Sequence, residues 1–267
     1  MEPGPTLAPR TFGRWNGRGL WTLIQRDLRR YWKYGVESIG GPIVSSLLFL
    51  AVFVLALGGQ GEAAGGLTFV QFVAPGIVMF ALMHSGFLNG AAPLVHDKHE
   101  GMIQDVLSAP LSAIEVAAGY GLSAALNALA TGIFVLLAMT PFVALPYAQP
   151  LVALVFAMAG AALFGLTGVL IGLWADKWDH FSAAESFLIL PLGVLSGAFF
   201  PLDGLPDLAG ALILFNPAFH AIDGVRHGLT GHDAWAPAAS LVILLIADLV
   251  LAWVAWRLIA RGYKIKA

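Results

Sequence analysis

The sequence predicts an all-α integral membrane protein with six transmembrane helices. Hydrophobic residues make up 58% of its 267 residues and charged residues only 11%, which is too little charge to cover a water-soluble globule of this length. Six stretches provide the roughly 20 apolar residues that a helix needs to cross a bilayer. The basic residues are concentrated in alternate connecting segments, as in multi-pass proteins. The chain has no cysteine, which excludes disulfides, thiolate metal sites and cysteine nucleophiles.

The six predicted spans are separated by polar or helix-breaking turns. They cover residues 38–57, 69–94, 114–139, 151–174, 181–200 and 237–256. Pro191 predicts a kink in the fifth span. Because the number of spans is even, both termini are expected on the same side of the membrane.

The distribution of lysine and arginine predicts which side that is. Thirteen of the fourteen lie before the first span, between spans two and three, between spans four and five, or after the last span. By the positive-inside rule these segments are cytoplasmic. The exception is Arg226, in the external segment 201–236. We expect no cleavable signal peptide, because a polar tail precedes a first apolar run of full span length.

The chain divides into a flexible tail (residues 1–14), one six-span domain (15–262) and a short cytoplasmic tail (263–267). The domain begins with an amphipathic segment whose apolar residues recur at helical spacing. These are Trp21, Ile24, Leu28, Tyr31 and Trp32, opposite Arg26, Arg29, Arg30 and Lys33. The pattern predicts a helix lying in the membrane interface. A disordered basic tail is the alternative; a nucleic-acid-binding arm is not expected, because the adjacent span holds these aromatics at the membrane.

The second-to-third loop contains a short amphipathic helix that Pro110 ends. Its apolar face is formed by Met102, Ile103, Val106 and Leu107. The face either packs on the chain's own spans and the membrane surface or docks a soluble partner. His96 and His99 precede it, but no third ligand stands at a defined spacing, so a metal site is not expected.

Four ionisable residues fall within the predicted spans. Glu115 and Glu185 lie about one turn from the cytoplasmic ends, where a capping or interface-reaching role is favoured. Asp248 lies near the middle of the last span and must face protein or a water-filled cavity. His84 is the fourth. Glycine pairs four residues apart, such as Gly86 with Gly90 and Gly168 with Gly172, predict close helix packing within the chain or across a dimer.

The segment before the last span is punctuated by Pro201, Pro206 and Pro217. Its apolar piece 208–215 would form about 12 Å of helix, too short to cross, so we predict an external re-entrant helical hairpin. Asn216 is a plausible turn or cap. Asp223 and Arg226, three residues apart, are either a structural pair or a contact for an anionic head group at an exit.

This segment resembles the closing signature of the ATP-binding-cassette type-2 exporter permeases. The matching elements are Phe200-Pro201, Leu205-Pro206, Asn216-Pro217 and Arg226. In the second-to-third loop, Glu100-Gly101, Pro110-Leu111-Ser112 and Gly119-Tyr120 resemble further family elements. The ending at Gly119-Tyr120 resembles the branch of the family that includes lipo-oligosaccharide and drug exporters. The resemblance covers about residues 15 to 260.

The resemblance implies a permease of the bacterial inner membrane that moves an amphiphile, such as a drug, lipid or lipid-linked saccharide, outward by alternating access. It implies a homodimer among membrane lipids, with a separate cytoplasmic ATPase that binds ATP and Mg²⁺. No cofactor is expected on this chain, which lacks G-x-x-x-x-G-K-[ST] and is not expected to be an enzyme. The loop helix becomes a coupling helix that contacts the ATPase through six residues: Glu100, Gly101, Met102, Ile103, Val106 and Leu107.

Two other classes stay open from the residues alone. A secondary carrier or channel would use intramembrane groups such as Asp248 and His84, although no internal repeat is evident. An intramembrane enzyme would need a nucleophile and a base that meet. The only adjacent pair, His84 and Ser85, points to different sides of a helix.

Overall fold

The computed structural model describes residues 15–57, 66–201 and 206–265, and all regular structure within these ranges is helical. Five of its helices are long and apolar enough to cross a membrane. The predicted tail 1–14 and Leu205 lie outside the described residues. Helix bounds agree with the predicted spans to within a few residues, except at the fifth.

The first helix, α1 (Gly17–Lys33), begins at Asn16, whose side chain accepts a hydrogen bond from the backbone N–H of Gly19. The predicted aromatic stripe divides into two sets. Ile24 and Tyr31 are buried against the rest of the chain, whereas Trp21 and Trp32 are each 56% exposed. The helix therefore packs on protein through one side and presents indole rings on another, as suits an interface helix.

Helix α2 (Gly41–Leu57) continues from a π-helical turn, Val36–Gly40. Only 11% of its most apolar window is buried within the chain, against 72% for α3 (Phe69–His99). The first span is therefore a peripheral element, and α3 lies at the centre of the molecule.

Helices α5 (Ala113–Met139) and α6 (Pro150–Trp174) pack around α3, and α4 (Ile103–Ser108) connects α3 to α5. The α3–α6 contact is as close as the small-residue spacing predicts. A Cβ on Gly90 would lie 2.2 Å from the Gly165 carbonyl oxygen, and one on Gly168 would lie 2.3 Å from that of Phe87. These glycines therefore bring two backbones together within one chain.

The fifth predicted span, residues 181–200, differs most from the prediction. Helix α7 (Trp178–Ala184), a π-helix (Glu185–Ile189) and α8 (Leu190–Val194) form one continuous helix, and residues 195–200 are turns and bends. Pro191 has no N–H to donate within the helix, and the π-helix immediately precedes it. The continuous helix has 17 residues and is not among the five long spans, so the count of six stays a prediction.

The remaining helices are α9 (Asp207–Leu214), α10 (Pro217–Thr230) and α11 (Pro237–Ala260). Helix α9 has eight residues and cannot cross a bilayer. Asn216 joins it to α10: its side-chain oxygen accepts from the N–H of Ala218, and its amide donates to the carbonyl of Leu192 at 2.9 Å. The predicted capping role of Asn216 is confirmed. The re-entrant path itself stays a prediction.

Candidate functional site

An open groove of about 720 Å³ runs along one side of α3, facing α2 and the start of α7. The α2 side of this groove belongs to the span Val36–Leu55, of whose most apolar window only 11% is buried within the chain. Ten residues of α3 line it: Ile77, Phe80, Ala81, His84, Ser85, Leu88, Asn89, Ala92, Pro93 and His96. The opposite wall comes from α2 and the π-helical turn before it.

The chemistry of the groove changes along its length. Arg30, Glu37 and His96 line it at the end nearest α4. Toward the other end the lining becomes apolar and includes Phe49 and Phe199. A groove that is polar at one end and aromatic at the other suits an amphiphilic molecule.

A cluster of phenylalanines fills the apolar end. The ring of Phe199 lies 6.1 Å from Phe49, 5.9 Å from Phe53 and 5.8 Å from Phe80, measured between centroids. These distances are typical of favourable aromatic pairs. The cluster joins α2, α3 and the non-helical segment 195–200 at the apolar end of the groove.

His84, which lines the groove, forms an ion-pair-like contact with Glu185, which lies outside the lining. His84 Nε2 lies 2.7 Å from Glu185 Oε1, and the two side chains are 29% and 23% exposed. Phe80 stacks on the His84 ring with an interplanar angle of 8°. The Glu185 side chain therefore bonds to α3 from the residue at which the π-helix begins, and its predicted reach to the membrane interface stays a prediction. Nothing in the sequence signals a contact between residues 101 apart.

A second layer of polar residues supports the groove from behind. Ser85 and Tyr31 each bond to the hydroxyl of Thr131 at 2.8 Å, and Asn127 donates to Asn89 at 3.1 Å. Ser85 and Asn89 thus line the groove while bonding to α5. Buried polar side chains normally have such partners, so these contacts fix the orientation of the lining.

A buried charge network joins α1 to the α4 end of α3. The Arg26 guanidinium donates to Asp97 at 2.7 Å and to Asp27 at 3.1 Å, and the Tyr120 hydroxyl donates to Asp97 at 2.8 Å. Burial raises the pKa of Asp27, although Arg26 and Arg30 oppose that shift. The sequence pattern places Arg26 on the polar face of α1, and it does not predict the contacts of Arg26 with Asp27 and Asp97.

The predicted coupling residues do not form the single apolar surface that we expected. Ile103 and Val106 are buried in a core cluster with residues of α1, α5, α6 and α11. Met102 is 37% exposed and Leu107 is partly buried. Of the two alternatives for this face, Ile103 and Val106 take the first and pack on the chain's own helices, so their predicted contact with the ATPase is not favoured. The outward surface of α4 consists of Met102, Gln104, Asp105 and Ser108.

The two ends of the α4 loop have defined geometry. Glu100 is the C-terminal cap of α3, and Gly101 has a φ of +74°, which a residue with a Cβ rarely adopts. After α4, the Asn16 side chain donates to the carbonyl of Pro110 at 3.1 Å, and the Asn16 backbone N–H bonds to Glu115. Glu115 and Ser112 also form the capping box of α5, which confirms the predicted capping role of Glu115. The start of α1 is thus fastened to the loop.

The predicted exit residues are structural. Asp223 and Arg226 are both 2% exposed and lie 3.6 Å apart. Arg226 also donates to the carbonyls of Gly197 and Phe72 at 2.8 and 3.2 Å. Asp223 accepts from the backbone N–H groups of Ala234 and Trp235. A head-group contact at Arg226 is therefore not favoured, because its charge is enclosed by protein.

Two of the three prolines in the same region lie at helix boundaries. Pro217 is the first residue of α10, where its missing N–H costs nothing, and Pro206 directly precedes α9. Pro201 follows the turn segment after α8 and adjoins no described helix. Pro206 and Pro217 thus mark the starts of α9 and α10.

Asp248 lies on α11, away from the groove lining. One of its carboxylate oxygens is buried and has no hydrogen-bond partner among the described residues. The residue is intermediate in exposure and adjoins the buried face that includes Leu244. The structure does not connect it with His84.

The fold and the groove together define a class: a polytopic helical membrane protein with an open side groove and no nucleotide-binding loop motif in its sequence. A family model described as ABC-2 type transporter matches residues 18–230. The chain therefore belongs to the ABC-2 permease family, whose members are the membrane subunits of transporters that have a separate ATP-binding subunit.

Curated relatives agree with this assignment. The chain is 26% identical over 249 residues to the inner membrane transport permease YadH of Escherichia coli (strain K12), covering 93% of this chain and 97% of the relative. It is 27% identical over 241 residues to Nodulation protein J of Rhizobium leguminosarum bv. trifolii, covering 86% and 90%. The similarity therefore extends over nearly the whole of each protein.

Proposed function

We propose that two copies of this chain form the membrane pathway of an ATP-driven exporter, which moves an amphiphilic molecule out of the cytoplasm across a bacterial inner membrane. A separate cytoplasmic ATPase binds ATP and Mg²⁺ and drives the cycle. Both termini and α4 lie on the cytoplasmic side, in keeping with the distribution of basic residues.

The observation that carries the proposal is the groove beside α3. Its polar lining at the α4 end and its phenylalanines at the other fit a molecule with a polar head and an apolar body. Arg30, Glu37 and His96 line the end nearest the proposed ATPase contact, and a phenylalanine cluster lies toward the other end. This arrangement supports loading from the cytoplasmic side.

The peripheral position of α2 supports a dimer. With only 11% of its apolar window buried, α2 has a large free surface for lipid or for a second copy. A second copy facing the groove would enclose it, and an enclosed groove would become a pathway sealed from lipid. The homodimer is thus the simplest way to complete the site.

The contact with the ATPase is proposed at the outward surface of α4. Met102, Gln104 and Asp105 are exposed there, whereas Ile103 and Val106 anchor the helix to the spans. The hydrogen bonds of Asn16 to Pro110 and of Arg26 to Asp97 would transmit a displacement of α4 to α1 and α3. Force from the ATPase would then reach the wall of the groove.

Copurification tests this assembly. Tagged wild-type chain, extracted in mild detergent, should bring down one ATPase, and native mass spectrometry should give two copies of each protein. A stable particle with one copy of each protein would contradict the proposal. So would purification of the chain without any ATPase from cells that contain every ABC ATPase of its source organism. The control is the same extract with an unrelated multi-span protein bearing the same tag.

A further inference from the structure

His84 lines the groove, and Glu185 adjoins the groove through its contact with His84 without belonging to the lining itself. Glu185 Oε1 lies 2.7 Å from His84 Nε2, and neither side chain has another hydrogen bond among the described residues. An ionised carboxylate can accept about four hydrogen bonds. With 29% and 23% of their side chains exposed, both residues remain open to a ligand.

The His84–Glu185 pair lies midway along a membrane-spanning helix, where a charge without a hydrogen-bonding or ionic partner is costly. His84 is midway along α3, fifteen residues from Phe69 and fifteen from His99. The charged residues that line the groove, Arg30 and Glu37, are near the α4 end. Glu185 adjoins the groove through His84, and this contact is its single hydrogen bond among the described residues.

The surroundings favour a cation over other ligands. A carboxylate accepts hydrogen bonds and donates none, so its ligand must carry a donor such as an N–H group. Phe80 stacks on the imidazole, and Phe49 and Phe199 lie further along the groove. Aromatic faces attract cations and also cover an apolar body. The π-helix that begins at Glu185 fits this reading, since such turns often occur at functional sites.

We propose that His84 and Glu185 bind the ammonium group of an amphipathic amine, whose apolar body lies on the phenylalanines. The inference rests on the proposed function only in taking the groove as the substrate path. A primary or secondary ammonium fits better than a quaternary one, because its N–H groups can donate to the free positions of the carboxylate.

The test compares one fluorescent amine with its uncharged derivative. Dansylcadaverine and N-acetyl dansylcadaverine differ in the ammonium group alone, and their fluorescence on binding to the permease–ATPase complex in lipid nanodiscs gives two dissociation constants. Wild type should bind the amine at least about tenfold more tightly, and Glu185→Gln should remove that preference. Asp248→Asn is the matched control and should keep the preference, because Asp248 is a second intramembrane carboxylate on α11, which supplies no residue to the groove lining.

A second measurement, which does not use Glu185→Gln, tests whether the amine occupies the groove. The chain has no cysteine, so a single Leu88→Cys placed in the groove reports on access to a maleimide. The amine should protect this cysteine, and the acetylated derivative should not. Equal affinity of the two probes for wild type, unchanged preference in Glu185→Gln, or no protection at Leu88→Cys would each overturn the site.

The outcomes separate this inference from the proposed function. If the complex contains an ATPase and ATP releases the bound probe, but charged and acetylated probes bind alike, the ammonium site is wrong and the exporter stands. If the amine is preferred but no ATPase copurifies with the chain, the site stands and the exporter proposal is wrong.

Discussion

At the scale of single residues, Arg226 shows how a position that looks functional in the sequence becomes structural in the fold. It is the only basic residue in the predicted external segment, yet it is 2% exposed and lies 4.0 Å from the centre of the Phe72 ring. Its hydrogen bonds join α10, the beginning of α3 and the turn at Gly197. Sequence spacing predicts the contact with Asp223 but not the carbonyl partners, because those depend on tertiary packing.

We expect Arg226→Ala to destabilise the protein by about 3 kcal/mol or more, because it leaves Asp223 buried without its cation. Exchanging the two charges should not restore stability, since an arginine at 223 would face the N–H groups of Ala234 and Trp235. Thermal unfolding in detergent measures both variants. Arg257→Ala, at an exposed arginine, is the control. A wild-type melting temperature for Arg226→Ala would refute the structural role.

The charge network at Arg26 makes a prediction about pH. Burial raises the pKa of Asp27 in the folded state above its unfolded value, so ionised Asp27 costs stability at high pH, and this cost falls as pH drops through the folded pKa. Arg26→Gln removes a cation that stabilises the ionised form. Its loss of stability relative to wild type should therefore be larger at pH 8 than at pH 5. Urea or thermal unfolding at both pH values, with Arg29→Gln as the exposed control, measures the difference. A pH-independent loss would contradict this account.

At the scale of elements, the sequence predicts the long helices well and their partners poorly. Helix α3 begins at Phe69 as expected because Thr68 and Gln71 form a capping box ahead of a long apolar run. The amphipathic pattern of α4 identifies a helix but not the occupant of its apolar face, which proves to be the chain's own core. The fifth span is shorter than its apolar run because residues 195–200 leave the helix after Pro191. Hydrophobicity alone does not distinguish helix from buried turns.

The orientation of α4 predicts which substitutions in this helix weaken ATPase binding without affecting folding of the chain. Met102→Asp with Asp105→Arg alters the outward surface and should weaken copurification of the ATPase while the chain stays folded. Ile103→Asp should impair folding itself, because it buries a charge in the cluster around Val116 and Tyr120. Size-exclusion profiles separate the two effects. Lys177→Ala, exposed in another loop predicted on the same side, should change neither. Normal ATPase binding by the outward double variant would rule out this surface.

At the scale of the whole molecule, composition, span length and charge distribution predict the class of protein, and the motif resemblance predicts the family that residues 18–230 match. The groove could not be predicted. It depends on how little α2 is buried and on the pairing of His84 with Glu185, and both are properties of packing between distant segments. Periodicity reports the faces of one helix, not the gap between two.

The proposed orientation is open to direct labelling. Because the chain has no cysteine, single cysteines can replace Gln149 in the α5–α6 loop and Asp233 before α11, both exposed. In intact cells an impermeant maleimide should react at these positions. It should reach cysteines at His99 and Lys177 only after the membrane is opened. Labelling of His99→Cys in intact cells would contradict the predicted orientation.

The central claim is ATP-driven outward movement of an amphiphile, and transport into inside-out membrane vesicles tests it most directly. Vesicles containing this chain and its ATPase are supplied with fluorescent cationic, neutral and anionic amphiphiles. We expect at least one to accumulate inside on addition of ATP, and not with a non-hydrolysable analogue or without the ATPase. Uptake that needs no ATPase, follows an imposed proton gradient and disappears in Asp248→Asn would contradict the claim and identify a secondary carrier.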